Sequence, residues 1–131
     1  MKLMLDTNIC IYIIKQKPAH VIQRFWQYQG GDIGISVITA AELAYGIEKT
    51  GSERNRLALH KFLAPFDILP FDEKVVWEYA RLHAALELKG QTIGALDMQI
   101  AAHALVENVT LVTNNVREFS RVPHLKLENW V

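Results

Sequence analysis

The feature that most constrains this chain is a carboxylate set at the abrupt end of a short apolar run, Met4-Leu5-Asp6-Thr7-Asn8. Lys2 to Leu5 reads as a brief buried strand, and Asp6-Thr7-Asn8 are turn and N-cap formers that stop it. Ile9 to Ile14 is apolar and leads into a helix. A strand passing into a helix through a polar turn is the first half of a βαβ unit. In such folds the ligand site lies outside the carboxyl ends of the parallel strands, and Asp6 occupies that address. Asp6 or Asn8 also suits a plain helix cap, worth ~1 kcal/mol. What separates the two readings is how many other strand ends carry similar residues.

The remaining strands and helices alternate. Ile9 to about Lys15 is helical and Pro18 interrupts it. Ala19 to Gln29 is a second helix, with Val21, Ile22, Phe25 and Trp26 spaced to share a face, and Gly30-Gly31 ends it. Asp32 to Ser36 is the second strand. Thr39-Ala40-Ala41-Glu42 opens a helix to about Lys49, and another runs from about Glu53 to Ala64. Asp67-Ile68-Leu69 is a short strand, and a long helix follows from Asp72-Glu73 to about Lys89. After the loop Gln91 to Gly94, Ala95 to Glu107 is a helix rich in small apolar residues, which implies burial. Thr110 to Thr113 is a buried strand, Asn114-Asn115 its turn, Val116 to Phe119 a helical turn, and Leu125 to Leu127 a last strand. No repeat, linker or low-complexity tract divides the chain. The expectation is one α/β domain over residues 1–131 with a mostly parallel sheet flanked by helices.

Composition restricts function more than fold. Of 131 residues, Lys plus Arg and Asp plus Glu number 14 each, so there is no basic excess of the kind that marks a nucleic-acid binder. Binding to nucleic acid would require a local basic rim around a local acidic centre. Cys10 is the only cysteine and sits in an apolar run, which fits a core position in a reducing cytoplasm. No apolar run is long enough to span a bilayer, and the N-terminus lacks the pattern of a signal peptide.

The acids recur at the strand ends. Glu42 follows the second strand, where Thr39 and Glu42 match a capping box. Asp97 lies in the first turn of the Ala95 helix, where a carboxylate also suits the helix dipole. Yet it shares a face with Ile100, Ala101, Ala104 and Leu105, at the top of the buried stripe. No Lys or Arg occurs in that helix, so a carboxylate there must be metal-bound, protonated or paired from elsewhere. Asn114-Asn115 follows the Thr110 strand, and Glu118 comes one turn later. Clustered carboxylates require a compensating cation. Oxygen donors without His or Cys in register select Mg²⁺, or Mn²⁺ in its place. Such ions held by carboxylates serve phosphodiester hydrolysis.

In order and spacing, these marks resemble the PIN-domain ribonucleases, and among them the VapC toxins of type II toxin–antitoxin pairs. The resemblance spans essentially the whole chain. It rests on Met4 to Asn8; on Ser36-Val37-Ile38-Thr39 running into Glu42-Leu43 and Tyr45-Gly46; and on Gly94 to Asp97 with Ile100 to Ala104. It also rests on Val112 to Asn115 with Arg117-Glu118-Phe119 and on Leu127 to Trp130. What it implies is a Mg²⁺-dependent endoribonuclease centred on Asp6, Glu42 and Asp97. Asn115 stands where many PIN domains have a fourth acid, which weakens a second metal position unless Glu118 supplies it. The enterobacterial-type members that the chain most resembles cut initiator tRNA in the anticodon loop. They are held inactive by a small VapB antitoxin whose tail places a basic side chain in the acidic pocket, and they form homodimers.

The reaction implied is in-line attack of water on a phosphate, with metal charge stabilising the developing negative charge. Asp6 and Asp97 would be ligands, and Glu42 a ligand or the base. Thr7, Asn8, Thr113 and Asn115 would hold the carboxylates in place. Lys15, Lys17, Arg117 and Arg121 are the candidates for the RNA backbone, each equally suited to plain surface charge. The five histidines show no paired ligand spacing. His103 is expected on a helix surface or interface, and Trp26, Trp77 and Tyr79 in core or interface. Two other readings remain. One is an acyl-phosphate phosphotransfer protein, against which stand Asn8 in place of a second Asp and the lack of a Lys near Asp97. The other is a non-catalytic partner-binding domain whose acids are caps.

Overall fold

Backbone pairing follows the apolar runs. The computed structural model describes residues 1–131. Its strands are β1 (Leu3–Leu5), β2 (Ile33–Ser36), β3 (Asp67–Leu69), β4 (Thr110–Val112) and β5 (Leu127–Glu128). They form one fully parallel sheet in the order β3-β2-β1-β4-β5. Seven helices connect them: α1 (Thr7–Lys15), α2 (Ala19–Phe25), α3 (Val37–Thr50), α4 (Glu53–Leu63), α5 (Glu73–Leu88), α6 (Ala95–Glu107) and α7 (Val116–Phe119). This is the α/β architecture that the alternation of strands and helices predicts. No helix is long and apolar enough to cross a membrane.

The pleat divides the core in two. Leu3 and Leu5 of β1 point to one face, where they meet Ile9, Ile13, Val21, Leu43 and Leu59. Met4 points to the other, with Leu111, Val75, Leu86, Ile100 and Phe119. Helices cover both faces, so β1 reads as continuous apolar sequence and not as an alternation. Ala101, Ala102 and Ala104 are fully buried, and their small size lets α6 pack closely between the sheet and α5.

Strand order places the functional address. The chain leaves β1 towards β2 and β3, then returns on the other side of β1 with β4. The strand ends around β1 therefore flank a topological switch point.

Several local expectations are corrected. Helix α1 begins at Thr7, because Asp6 caps it by accepting the Ile9 N–H at 2.9 Å. Helix α2 stops at Phe25 and not Gln29, so Trp26 is 75% exposed instead of sharing the buried face of Val21 and Ile22. Trp77 is 58% exposed, which excludes the core half of its core-or-interface expectation. Tyr79 is half-buried, its hydroxyl 3.0 Å from His83 Nδ1. Helix α3 begins at Val37 with Ser36 as its cap, accepting the Ile38 N–H at 3.1 Å. The Thr39–Glu42 capping box is therefore not formed: β2 stays paired with β3 up to Ser36 and runs straight into the helix. His103, expected at a surface, is completely buried. The last strand shifts to Leu127–Glu128, where it pairs with Leu111 and Val112.

Candidate active site

At the carboxyl ends of β1 and β4 the chain leaves a cleft of about 120 Å³, lined by Asp6, Thr7, Asn8, Glu42, Asp97, Asn115 and Phe119. Residues 109 positions apart in sequence thus meet because every strand is parallel and ends on one edge.

Asp6 is the buried centre. One oxygen caps α1, and the carboxyl is also hydrogen-bonded to the Thr113 side chain and the Asn8 backbone. Capping and cleft-lining are thus one arrangement and not rival roles. Burial pushes its pKa up. The bonds from Thr113 and the Ile9 backbone act against that push, and the Glu42 charge adds to it.

Glu42 projects from the second turn of α3, half-buried, and its Oε1 accepts the Thr7 hydroxyl at 2.7 Å. Asp97 projects from the first turn of α6. Its pKa is pushed up to about 6, first by burial and then by the charges of Glu118, Glu42 and Asp6. The Asn115 backbone N–H donates to Thr113 Oγ1 at 2.9 Å, and its side-chain amide donates to Glu118 Oε2 at 3.1 Å. Asn115 therefore lines the cleft and holds a fourth acid beside it. Glu118 acts on Asp97 through its charge without lining the cleft.

None of the chain's six ion pairs involves Asp6, Glu42, Asp97 or Glu118. The expected cationic residues lie outside the cleft. Lys15 lines an adjoining groove of about 330 Å³ that also includes Glu42, with Ile11, Ile14, Leu43, Ile47 and Leu59. Lys17 lies beyond it, near Tyr12 and Pro18. Arg117 is exposed on α7. Arg121 donates to the Thr92 carbonyl at 3.0 Å, which ties down the loop before α6.

The cleft's donor set is carboxylate, amide and hydroxyl oxygen, with no imidazole or thiolate. No three acidic, His or Cys side chains close on one point as a ready-made metal cage. A hard divalent ion that keeps several waters and takes one or two carboxylates fits such an open arrangement. Tetrahedral zinc, with its His and Cys ligands, does not. The absence of a nearby cation and the presence of Asn8 also disfavour the phosphotransfer reading. Phe119, Ser36 and His103 are named in the sequence reading, but none of them is given a place in or beside the cleft there. Phe119 forms the apolar wall of the cleft, and the buried Ser36–His103 pair lies where α3 meets α6. No periodicity marks either.

Fold, switch point and acidic cleft together define a nuclease-type α/β domain. Residues 3–125 match the PIN domain, and the chain belongs to the PIN-domain family. It is 46% identical to Ribonuclease VapC2 of Haemophilus influenzae, with 100% of this chain and 99% of that protein covered. It is 43% identical to the tRNA(fMet)-specific endonuclease VapC of Shigella flexneri, over 99% and 98%. Among solved structures, VapBC2 of Rickettsia felis bound to a DNA fragment from its promoter superposes with a TM-score of 0.92 at 44% identity, covering 100% of both chains. DNA-bound VapBC of Salmonella typhimurium gives 0.94 at 39%, covering 100% and 99%. Within the PIN-domain family, the chain therefore belongs to the VapC ribonucleases.

Proposed function

We propose that this chain is a Mg²⁺-dependent endoribonuclease, the toxin of a type II toxin–antitoxin pair, and that it cuts initiator tRNA in the anticodon loop. The observation that carries the reading is a cleft holding Asp6, Glu42 and Asp97, with Glu118 beside it and no basic side chain paired to any of them. A bound Mg²⁺ would neutralise these charges and stabilise the negative charge that develops on the phosphate.

The chain's own residues have distinct tasks. Asp6 and Asp97 would hold the ion. Thr113 and the start of α1 fix Asp6, so that it needs no rearrangement. Glu42, with one oxygen held by Thr7, presents the other to orient the attacking water and accept its proton. Asn115 fixes Glu118, and Lys15, Lys17 and Arg117 carry the RNA backbone. The tRNA target is supported by the name of the Shigella relative. A VapB-type antitoxin partner is supported by the VapBC neighbours. The apolar groove that opens at Glu42 suits an amphipathic antitoxin segment bringing a basic side chain to the acids. The working form is a homodimer in the cytoplasm.

The test uses purified chain freed of antitoxin, incubated with total tRNA and Mg²⁺, with and without EDTA, beside Asp6→Ala and Asp97→Ala. Discrete fragments ending in the initiator anticodon loop, lost with EDTA and in both variants, are expected. A folded wild-type protein that cuts nothing under Mg²⁺ or Mn²⁺ would sink the reading.

A further inference from the structure

Five polar residues are buried: Asp6, Ser36, Thr39, His103 and Thr113. Asp6 and Thr113 belong to the cleft. The other three lie on the two helices that carry its remaining acids, or at their start. Ser36 caps α3, Thr39 is in the first turn of α3, and His103 is midway along α6.

His103 Nδ1 is 2.8 Å from Ser36 Oγ, a contact across 67 residues of sequence. Ser36 Oγ already accepts the Ile38 N–H. Donation of its single proton to Nδ1 completes the pair and makes the ring neutral, with the proton on Nε2, a tautomer assigned from this network. Burial pushes the His103 pKa down, against the pull of Glu107 and Asp72, which agrees with a neutral ring. Phe71 packs edge-on against it with centroids 6.1 Å apart. Nε2 has no partner, and neither does Thr39 Oγ1. An orphaned buried donor is unfavourable, and an aromatic hydrocarbon would fill the same space without one. The ring is therefore explained by what Nδ1 does and not by core stability.

Nδ1 reaches the residue at which β2 becomes α3. Glu42 lies six residues beyond Ser36, and Asp97 six residues before His103. One bond thus joins the two helices that bring these acids into a common cleft. We propose that His103, acting through Ser36, is a positioning residue that fixes the first turns of α3 against α6 and so holds Glu42 in register with Asp97. The role rests on the nuclease reading above.

The test compares His103→Phe, His103→Asn, Ser36→Ala and the Phe/Ala double variant in the full chain. His103→Phe keeps the ring and loses the nitrogen, whereas His103→Asn places an amide near the Nδ1 position. Two readouts are taken: kcat and KM on a labelled RNA stem-loop, and amide hydrogen exchange across residues 37–43. His103→Phe and Ser36→Ala should each lower kcat roughly ten-fold with KM nearly unchanged. Ser36→Ala removes both the Nδ1 bond and the Ile38 cap, so adding His103→Phe to it should cost nothing more and the double variant should match Ser36→Ala. His103→Asn should recover most of kcat. Exchange in 37–43 should accelerate in His103→Phe by about ten-fold, with β4 unaffected.

Wild-type kcat in folded His103→Phe, losses that multiply in the double variant, or unchanged exchange across 37–43 would each overturn the proposal. If His103→Phe fails to fold, His103→Leu, which also removes the nitrogen, takes its place under the same criteria. If the wild-type protein cuts no RNA, the nuclease reading fails, and exchange alone then decides whether the pair fixes the helix that carries Glu42.

Discussion

Two sets of carboxylates in this molecule have opposite surroundings. On the outer face of α3 and α4, Glu48 and Glu53 lie 2.8 and 3.3 Å from Arg56, and on α5 Glu78 lies 2.8 Å from Arg81. At the switch point, Asp6, Glu42 and Asp97 face one another with Glu118 close by and no ion pair among them. The first set sits in water and contributes little to stability. The second is partly desolvated and mutually repulsive, an arrangement that a fold selected for stability alone would not keep. The contrast shows a positive charge deficit built into the cleft.

The largest effect expected from disturbing it is on activity. Asp97→Asn removes charge while keeping shape, and should lower RNA cleavage roughly 100-fold or more in a steady-state assay. Asn115→Ala frees Glu118 and should cost about ten-fold in the same assay. An effect as large as that of Asp97→Asn would instead give Asn115 a direct role.

Stability should respond in the opposite sense. The Asp97 pKa of about 6 in the folded chain lies above its ordinary value of 3.8, so the folded state holds a proton that the unfolded state has released. Metal-free stability should therefore be greatest below pH 4 with respect to this group, and fall as pH rises through about 6. After solvent screening, Asp97→Asn should be more stable than wild type by about 1 kcal/mol at pH 7 without metal. Chemical denaturation across pH measures both. Added Mg²⁺ should reverse the order, raising the melting temperature of wild type and leaving that of Asp97→Asn unchanged. The smallest effect belongs to the other set. Arg56→Ala should leave melting temperature and cleavage unchanged within error, and a clear loss would mean that surface pairing matters more than its exposure suggests.

Much of the cleft was legible in the sequence because Asp6 follows a short apolar strand, Asp97 lies in the first turn of a helix, and Glu42 comes within two helical turns of a strand end. Parallel strands deliver such positions to one edge. Helix α6 was legible to the residue, Ala95 to Glu107, since Gly94 precedes it and its apolar stripe is continuous. Asn115 and Glu118 were both visible as candidates, but that one holds the other depends on the turn after β4. The Thr39–Glu42 box looked right by spacing, yet Ser36 took the cap. A cap forms where the preceding strand ends, and pairing with β3 decides that.

By itself, then, the sequence determined the βα alternation, the parallel sheet and the three acids at its edge, because these depend on local periodicity and on residues next to each strand end. Only the tertiary structure decided which side chains are enclosed. His103 lies at the centre of α6 where sheet, α5 and α3 close around the helix, so a position that reads as surface is buried. Trp26 lies just past the end of α2, so a large apolar side chain spaced to share the face of Val21 and Ile22 is left out of the core they form. Burial follows from what packs on an element from elsewhere in the chain, and no window of sequence contains that.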